Sequence, residues 1–187
     1  MGHSQVEKAA SRERILQEAA AQIRAGGLES LSLGPLMKRA GLTHGGFYGH
    51  FDSRADLLVQ ALARALDDGA AAARAGAASE RRPGFADFVR RYLSRAHRAV
   101  PAAGCAIAAL AGDVARADEA MRKVMAPRIE SFIDTVREAL GDTDDRRAIA
   151  AVSALVGALV LSRAMPDARR ADEVLRAVRE RLMAEDL

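Results

Sequence analysis

A chain of 187 residues can form one large or two small domains and bury a sizeable core. Half of it is hydrophobic, yet aromatics make up only 4% and tryptophan is absent; the apolar set is mostly Ala, Leu and Val, which argues against strands and for closely packed helices. The net charge of +3, carried mainly by arginine, permits a nucleic-acid partner but is too small for histone-like coating of DNA.

Cys105 is the only cysteine, which rules out an intrachain disulfide and makes a reducing, cytoplasmic setting the expectation. The opening "MGHSQVEKAASRER" lacks the apolar core of a signal peptide, so secretion is not expected. The run "AIAAVSALVGALVL" from Ala148 to Leu161 falls short of the ~20 residues that a membrane span requires. Arg146, Arg147 and Arg163 bracket it closely, and a helix buried on most of its faces is expected instead of a membrane segment.

In chain order, Ser11 to Ala25 carries Ile15, Leu16, Ala19, Ala20 and Ile23 at helical spacing and stops at Gly26-Gly27. Ser32 is placed to cap a short helix "LGPLMKRA", which Gly41 ends, and Thr43 to cap another running to about His50. A long helix is predicted from Arg54 to about Ala78 behind Asp52 or Ser53, with a break at Glu80 to Gly84. Phe85, Phe88, Val89, Tyr92 and Leu93 mark the next, fading by Val100-Pro101. Further helices are predicted through Cys105 to Val114, from Asp118 to Leu140, from Asp144 to Ala164, and around Val174, Leu175, Val178 and Leu182. The expected fold is all-α, with about nine helices: a small N-terminal unit leaning on a larger helical one.

The segment "LTHGGFYGHF", Leu42 to Phe51, crowds three glycines, two histidines and three aromatic rings together. A phosphate loop would need a strand leading into the glycines, and here a helix leads in. A metal site is disfavoured because His44 and His50, six positions apart, point in different directions round a helix. Helix, glycine turn, helix fits. Phe47 and Phe51 are four apart and should face the core, leaving Thr43, His44, Gly46, Tyr48 and His50 outward, a face suited to a major groove lined by phosphates.

On these residues, "GLESLSLGPLMKRAGLTHGGFYGHFDSRADLL" resembles the helix-turn-helix of the TetR family of bacterial repressors. The likeness lies in Ser32 opening the second helix, the Ala-Gly-Leu turn, the "FYGHF" end and the Ser-Arg and acidic-Leu-Leu run that follow. It is close over roughly residues 10 to 60 and loose beyond. The resemblance implies groove contacts from Thr43, His44, Gly45 and Gly46, and phosphate contacts from Ser32, Tyr48, His50 and Arg54. Two departures thin out those contacts: His44 stands where relatives often carry lysine, and Gly49 where a larger polar side chain is common.

The resemblance also implies a boundary, with residues 1–53 reading double-stranded DNA and 54–187 forming a ligand-binding and dimerisation domain. Val152, Leu155, Val156, Leu159, Val174, Val178 and Leu182 are the expected interface of a homodimer, through the last two helices. Phe85, Phe88, Tyr92, His97, Cys105, Met121, Met125 and Phe132 are the candidates to line a pocket for a small-molecule effector, although Met and Phe at helical spacing also serve as plain core. Cys105, near a helix start, admits two readings: a reactive thiolate, or the favoured one, a small buried hydrophobe. No GxSxG, HExxH, CxxC or nucleotide loop occurs in a suitable setting, so no catalytic residue, metal or cofactor is expected. The implied function is a dimeric DNA-binding repressor of a palindromic operator, released by an effector.

Overall fold

The computed structural model describes residues 5–75 and 84–184, and these are helical with no strand among them. Helix α1, Gln5–Gly26, starts earlier than the expected Ser11 and buries the predicted stripe of Ile15, Leu16, Ala19, Ala20 and Ile23. A 3-10 turn, Leu28–Ser30, leads to α2, Leu33–Arg39, and a second 3-10 segment, His44–Gly49, follows. Helix α3, Arg54–Ala75, is set by a reciprocal cap. Ser53 Oγ accepts from the Asp56 N–H at 3.0 Å, and the Asp56 carboxylate accepts from the Asp52 N–H at 3.2 Å. The expected run to about Ala78 and most of the Glu80–Gly84 break lie outside the described residues.

The single helix expected over Phe85 to Val100 is two, α4 at Phe85–Tyr92 and α5 at Arg95–Ala99. Ser94 makes the break, because its hydroxyl accepts from the His97 N–H at 3.1 Å and starts a new helix there. After a 3-10 turn at Pro101–Ala103 come α6, Ala106–Arg116, α7, Glu119–Leu140, α8, Asp145–Ala164, and α9, Ala168–Met183. Asp118, Asp144 and Asp167 each cap the helix they precede through a carboxylate that accepts a main-chain N–H. The nine α-helices among the described residues match the expected number by offset. The segment at 43–50 is 3-10 instead of α, and one predicted helix is divided.

Two apolar cores result. The first joins α1, α2, Phe47, Phe51 and the N-terminal part of α3 to α6 and to Met121 and Met125 of α7. The second joins α4, Val136 of α7, α8 and α9. Phe132, Cys105 and Val156 pack against both, so α7 is the beam that the two share. One polar strut crosses from α6 to the turn after α1: Asp113 Oδ2 accepts from the Leu28 N–H at 2.9 Å.

Most residues expected at a dimer face pack within their own chain. Val152, Leu155, Leu159 and Leu182 are buried in the second core of their own chain, and Val174 and Val178 pack partly against it. Because α8 is apolar on every side, periodicity does not mark its outward face. What α8 exposes is Ile149 (47%), Val160 (41%) and Leu161 (56%), with the half-buried Val156 and Gly157 between them. Spaced at i, i+7, i+8, i+11 and i+12, they form one stripe. With twenty residues α8 is long and apolar enough to cross a membrane by composition, yet Ala148, Ala151, Val152, Leu155, Ala158 and Leu159 are committed to the bundle.

Candidate nucleic-acid interface and effector region

The Thr43–His50 element is built around a glycine turn. Gly41 has φ +74, and the chain closes α2 with Leu42 N–H donating to Met37 O at 2.9 Å and Gly41 N–H to Lys38 O at 3.1 Å. This pairing of bonds is the glycine-terminated helix end that needs a left-handed residue. It turns the chain so that Thr43 begins the 3-10 segment, whose first bond is Gly46 N–H to Thr43 O at 3.0 Å.

Phe47 anchors that segment with no exposed surface, and Phe51 is only 2% exposed. Their rings stack at 5.7 Å, and the Arg12 guanidinium lies 5.1 Å over the Phe51 ring. On the other side everything is open. Thr43, His44, Gly45 and Gly49 are exposed, and Tyr48, edge-on to Phe47 at 5.1 Å, is 71% exposed. A Cβ on Gly45 or Gly49 would meet nothing within 4 Å. The chain itself therefore does not require glycine there; their effect is a bare backbone on the outward face.

Ser32 sits at the start of α2, exposed, with its hydroxyl making no cap bond, and the Thr43 hydroxyl is likewise uncommitted as a cap. Both keep a donor free. Arg54 is more engaged than expected: Nε and Nη2 donate to Leu31 O at 3.3 and 3.2 Å, tying the start of α3 to the residue before Ser32. His50 is half-buried, not fully outward, and its Nδ1 is buried without a partner. Burial first, then the charges of Lys8 and Arg12, hold its pKa below the ordinary imidazole value. Seven of the eight predicted DNA residues thus share one end of the molecule in open or half-open positions, with His50 turned partly inward beside Arg12 and Lys8.

The effector candidates are brought together only in part. Phe88, Tyr92 and Phe132 form a ring cluster with centroids 5.6–5.9 Å apart, and His97 meets Tyr92 edge-on at 4.8 Å. Phe85 packs at the rim of the same core. Met121 and Met125 belong to the first core instead, on the part of α7 that packs with α3 and α6. Two surface grooves of about 330 and 310 Å³ lie elsewhere and are lined by none of the eight. Cys105 is half-buried at the position before α6, its N–H donating to His97 Nε2 at 3.0 Å. Sequence reasoning missed Arg163, which reaches this region from α8; a lone cation closing an apolar run was the available signal.

A family model described as bacterial regulatory proteins, tetR family, matches residues 15–61. Among solved structures, a TetR regulator from Chloroflexus aurantiacus J-10-FL superposes with a TM-score of 0.77 at 22% identity, covering 96% of this chain and 97% of its own. A TetR-family regulator from Cytophaga hutchinsonii gives 0.76 at 20% identity, with 97% and 96% coverage. SCO4454, a TetR-family regulator from Streptomyces coelicolor, gives 0.62 at 25% identity, with 93% and 95% coverage. No curated protein sequence matches the chain. The structural likenesses extend over the whole fold, whereas the family model covers the segment from Ile15 to Ala61 that carries the helix-turn-helix.

Proposed function

We propose that the chain, whose residues 15–61 match the tetR family of bacterial regulatory proteins, is a cytoplasmic, dimeric repressor of that family that binds a palindromic operator and is released by a small-molecule effector. The observation that carries the reading is the Thr43–His50 segment. Two buried rings hold it on one side, and its other side is bare backbone and uncommitted polar groups. In this reading residues 1–53 read DNA, with Thr43, His44, Gly45 and Gly46 in the major groove. Ser32, Tyr48, His50 and Arg54 contact phosphates, and residues 54–187 dimerise and take the effector.

Selection of bound duplexes from random DNA tests the reading, with a two-fold repeat as the expected result and no enriched sequence as the rejecting one. Tyr48→Ala should weaken binding to the selected operator about tenfold, the scale of one hydrogen bond lost, while changing stability by no more than about 0.5 kcal/mol. Unchanged affinity in a gel-shift titration would remove Tyr48 from the interface.

One short reading segment contacts too few bases for specificity, so two copies must lie on successive turns of the duplex, about 34–36 Å apart. The Ile149–Val160–Leu161 stripe of α8 supplies the face for pairing, and Gly157, beside which a Cβ would meet nothing within 4 Å, allows a second helix to approach. Ile149→Glu combined with Leu161→Glu should convert the dimer to a monomer in sedimentation equilibrium and abolish operator binding. A dimer that persists would move the interface elsewhere. Release follows from the shared beams: α3 runs from the DNA end to the first core, and α7 spans both cores. A ligand that shifts either one by a coupling of ~1–3 kcal/mol changes operator affinity about 5- to 150-fold.

A further inference from the structure

Where α4, α5, α6 and α8 converge, the molecule holds two buried donors and no acceptor for them. Tyr92 is 8% exposed, and its buried hydroxyl has no oxygen or nitrogen partner; its one polar neighbour is the Cys105 thiol, a weak hydrogen-bonding group that burial leaves as a poor substitute for a charged acceptor. Arg163 donates from Nη2 to His97 O at 3.0 Å and from Nε to Arg98 O at 3.3 Å, leaving Nη1 buried and unpartnered. Among the described residues no carboxylate pairs with this guanidinium, and the groups whose charge it senses are Tyr92 and Cys105.

His97, lying beside both, is already used at both nitrogens. Nδ1 is 2.7 Å from Tyr92 O, which only accepts, and Nε2 accepts the Cys105 N–H at 3.0 Å. That arrangement requires the neutral ring with its proton on Nδ1, and burial, the largest influence, lowers the His97 pKa and favours the same form. His97 therefore positions the cluster and has no acceptor left for either orphan. What the cluster lacks is a negatively charged acceptor, since a buried cation is stable only when paired and a buried donor only when bonded.

The surroundings define the rest of a ligand. Phe88 stacks on Tyr92 at 5.9 Å, and Phe132 closes the aromatic wall at 5.6 Å. On its far side Arg163 also lines the groove of about 310 Å³, together with Arg98, Pro101, Ser162 and Met165. Arg98 is itself neutralised by Asp172 at 2.8 Å, so Arg163 is the cation in this groove without a charged partner. Gly104 lets Arg163 and His97 close in on the junction, because a Cβ there would come within 3.1 Å of both Arg163 Nη2 and the His97 ring.

We infer that the buried junction of Tyr92 and Arg163, reached from the Arg163 groove, is the head-group subsite for a ligand bearing one carboxylate on an apolar or aromatic body. The carboxylate accepts from the Tyr92 hydroxyl and the Arg163 guanidinium, and the body replaces part of the ring packing around Phe88 and Phe132. This rests on the effector reading above and gives that effector a chemical class.

Calorimetric titration of the full chain with benzoate, phenylacetate and decanoate, against benzamide and benzylamine, tests the subsite directly. The acids should bind saturably and at least tenfold more tightly than the amide or amine. Tyr92→Phe, which keeps the ring and its stacking, should weaken the best acid about 5- to 10-fold, the effect of one hydrogen bond. Arg163→Lys, which retains charge but loses the planar fork, should weaken it further. An amide that binds as well as its acid, an acid affinity unchanged by Tyr92→Phe, or no binding by any acid would overturn the assignment. Operator affinity measured alongside separates the two readings. Acids that bind at Tyr92 yet leave operator affinity unchanged support the subsite and sink the effector role, whereas release by the amide or amine alone keeps the effector role and sinks the subsite.

Discussion

Replacing Phe47 by alanine lowers the stability of the folded chain by about 3–5 kcal/mol, the range for truncating a fully buried phenylalanine, and abolishes operator binding. The reason is the poverty of its own helix. Gly45, Gly46 and Gly49 each disfavour helical backbone by roughly 1 kcal/mol relative to alanine, so the His44–Gly49 segment has little local stability. Its place depends on the Phe47 ring, which stacks on Phe51 at 5.7 Å and meets Tyr48 edge-on at 5.1 Å. Without that ring Thr43, His44 and Tyr48 lose their common orientation even where the remaining core survives. Urea denaturation reads the stability, and amide exchange over residues 43–50 reads the local release. A loss below about 1 kcal/mol with unchanged exchange would show that the segment is held by something else.

Phe47 also shows what the sequence alone could disclose. Two aromatic residues four positions apart after a glycine turn dictate which side faces the core, because that spacing brings both to one side of any helix-like path. The helix type was not legible there, since 3-10 and α paths differ in hydrogen bonding and not in which residues are apolar. Ser94 hid for a related reason. Its neighbours keep helical spacing across the break, and only the capping bond to the His97 N–H reveals two helices. In α8 the outward face was not legible, because alanine, valine and leucine surround the helix and carry no phase. The orphan donors at Tyr92 and Arg163 lie 71 positions apart in sequence, taking 163 less 92, and no local pattern could have joined them.

Gly27→Ala tests the strut between α6 and the turn after α1, and should cost about 3 kcal/mol or more. Gly27 has φ 83 and ψ 171, a backbone region open essentially to glycine alone, which strains any other residue by roughly 1–3 kcal/mol. The added methyl would also lie 2.6 Å from Asp113 Oδ2, the atom that accepts the Leu28 N–H at 2.9 Å. Methyl and carboxylate cannot both stay, so the substitution breaks a charge-assisted bond worth about 1.5–3 kcal/mol in addition to the strain. Asp113→Ala removes the same bond without the strain, although it also frees Arg116, which donates to Asp113 Oδ1 at 3.0 Å. The double variant separates the contributions: with Asp113 gone the methyl meets no obstacle, and Gly27→Ala should then cost only its backbone strain. A double-mutant cycle by thermal or urea unfolding should show coupling of about 1 kcal/mol or more, with the loss of the strut also reducing any ligand-dependent change in operator affinity. Strictly additive costs, or a ligand response undiminished in Asp113→Ala, would mean that α6 does not communicate with the reading unit through Leu28.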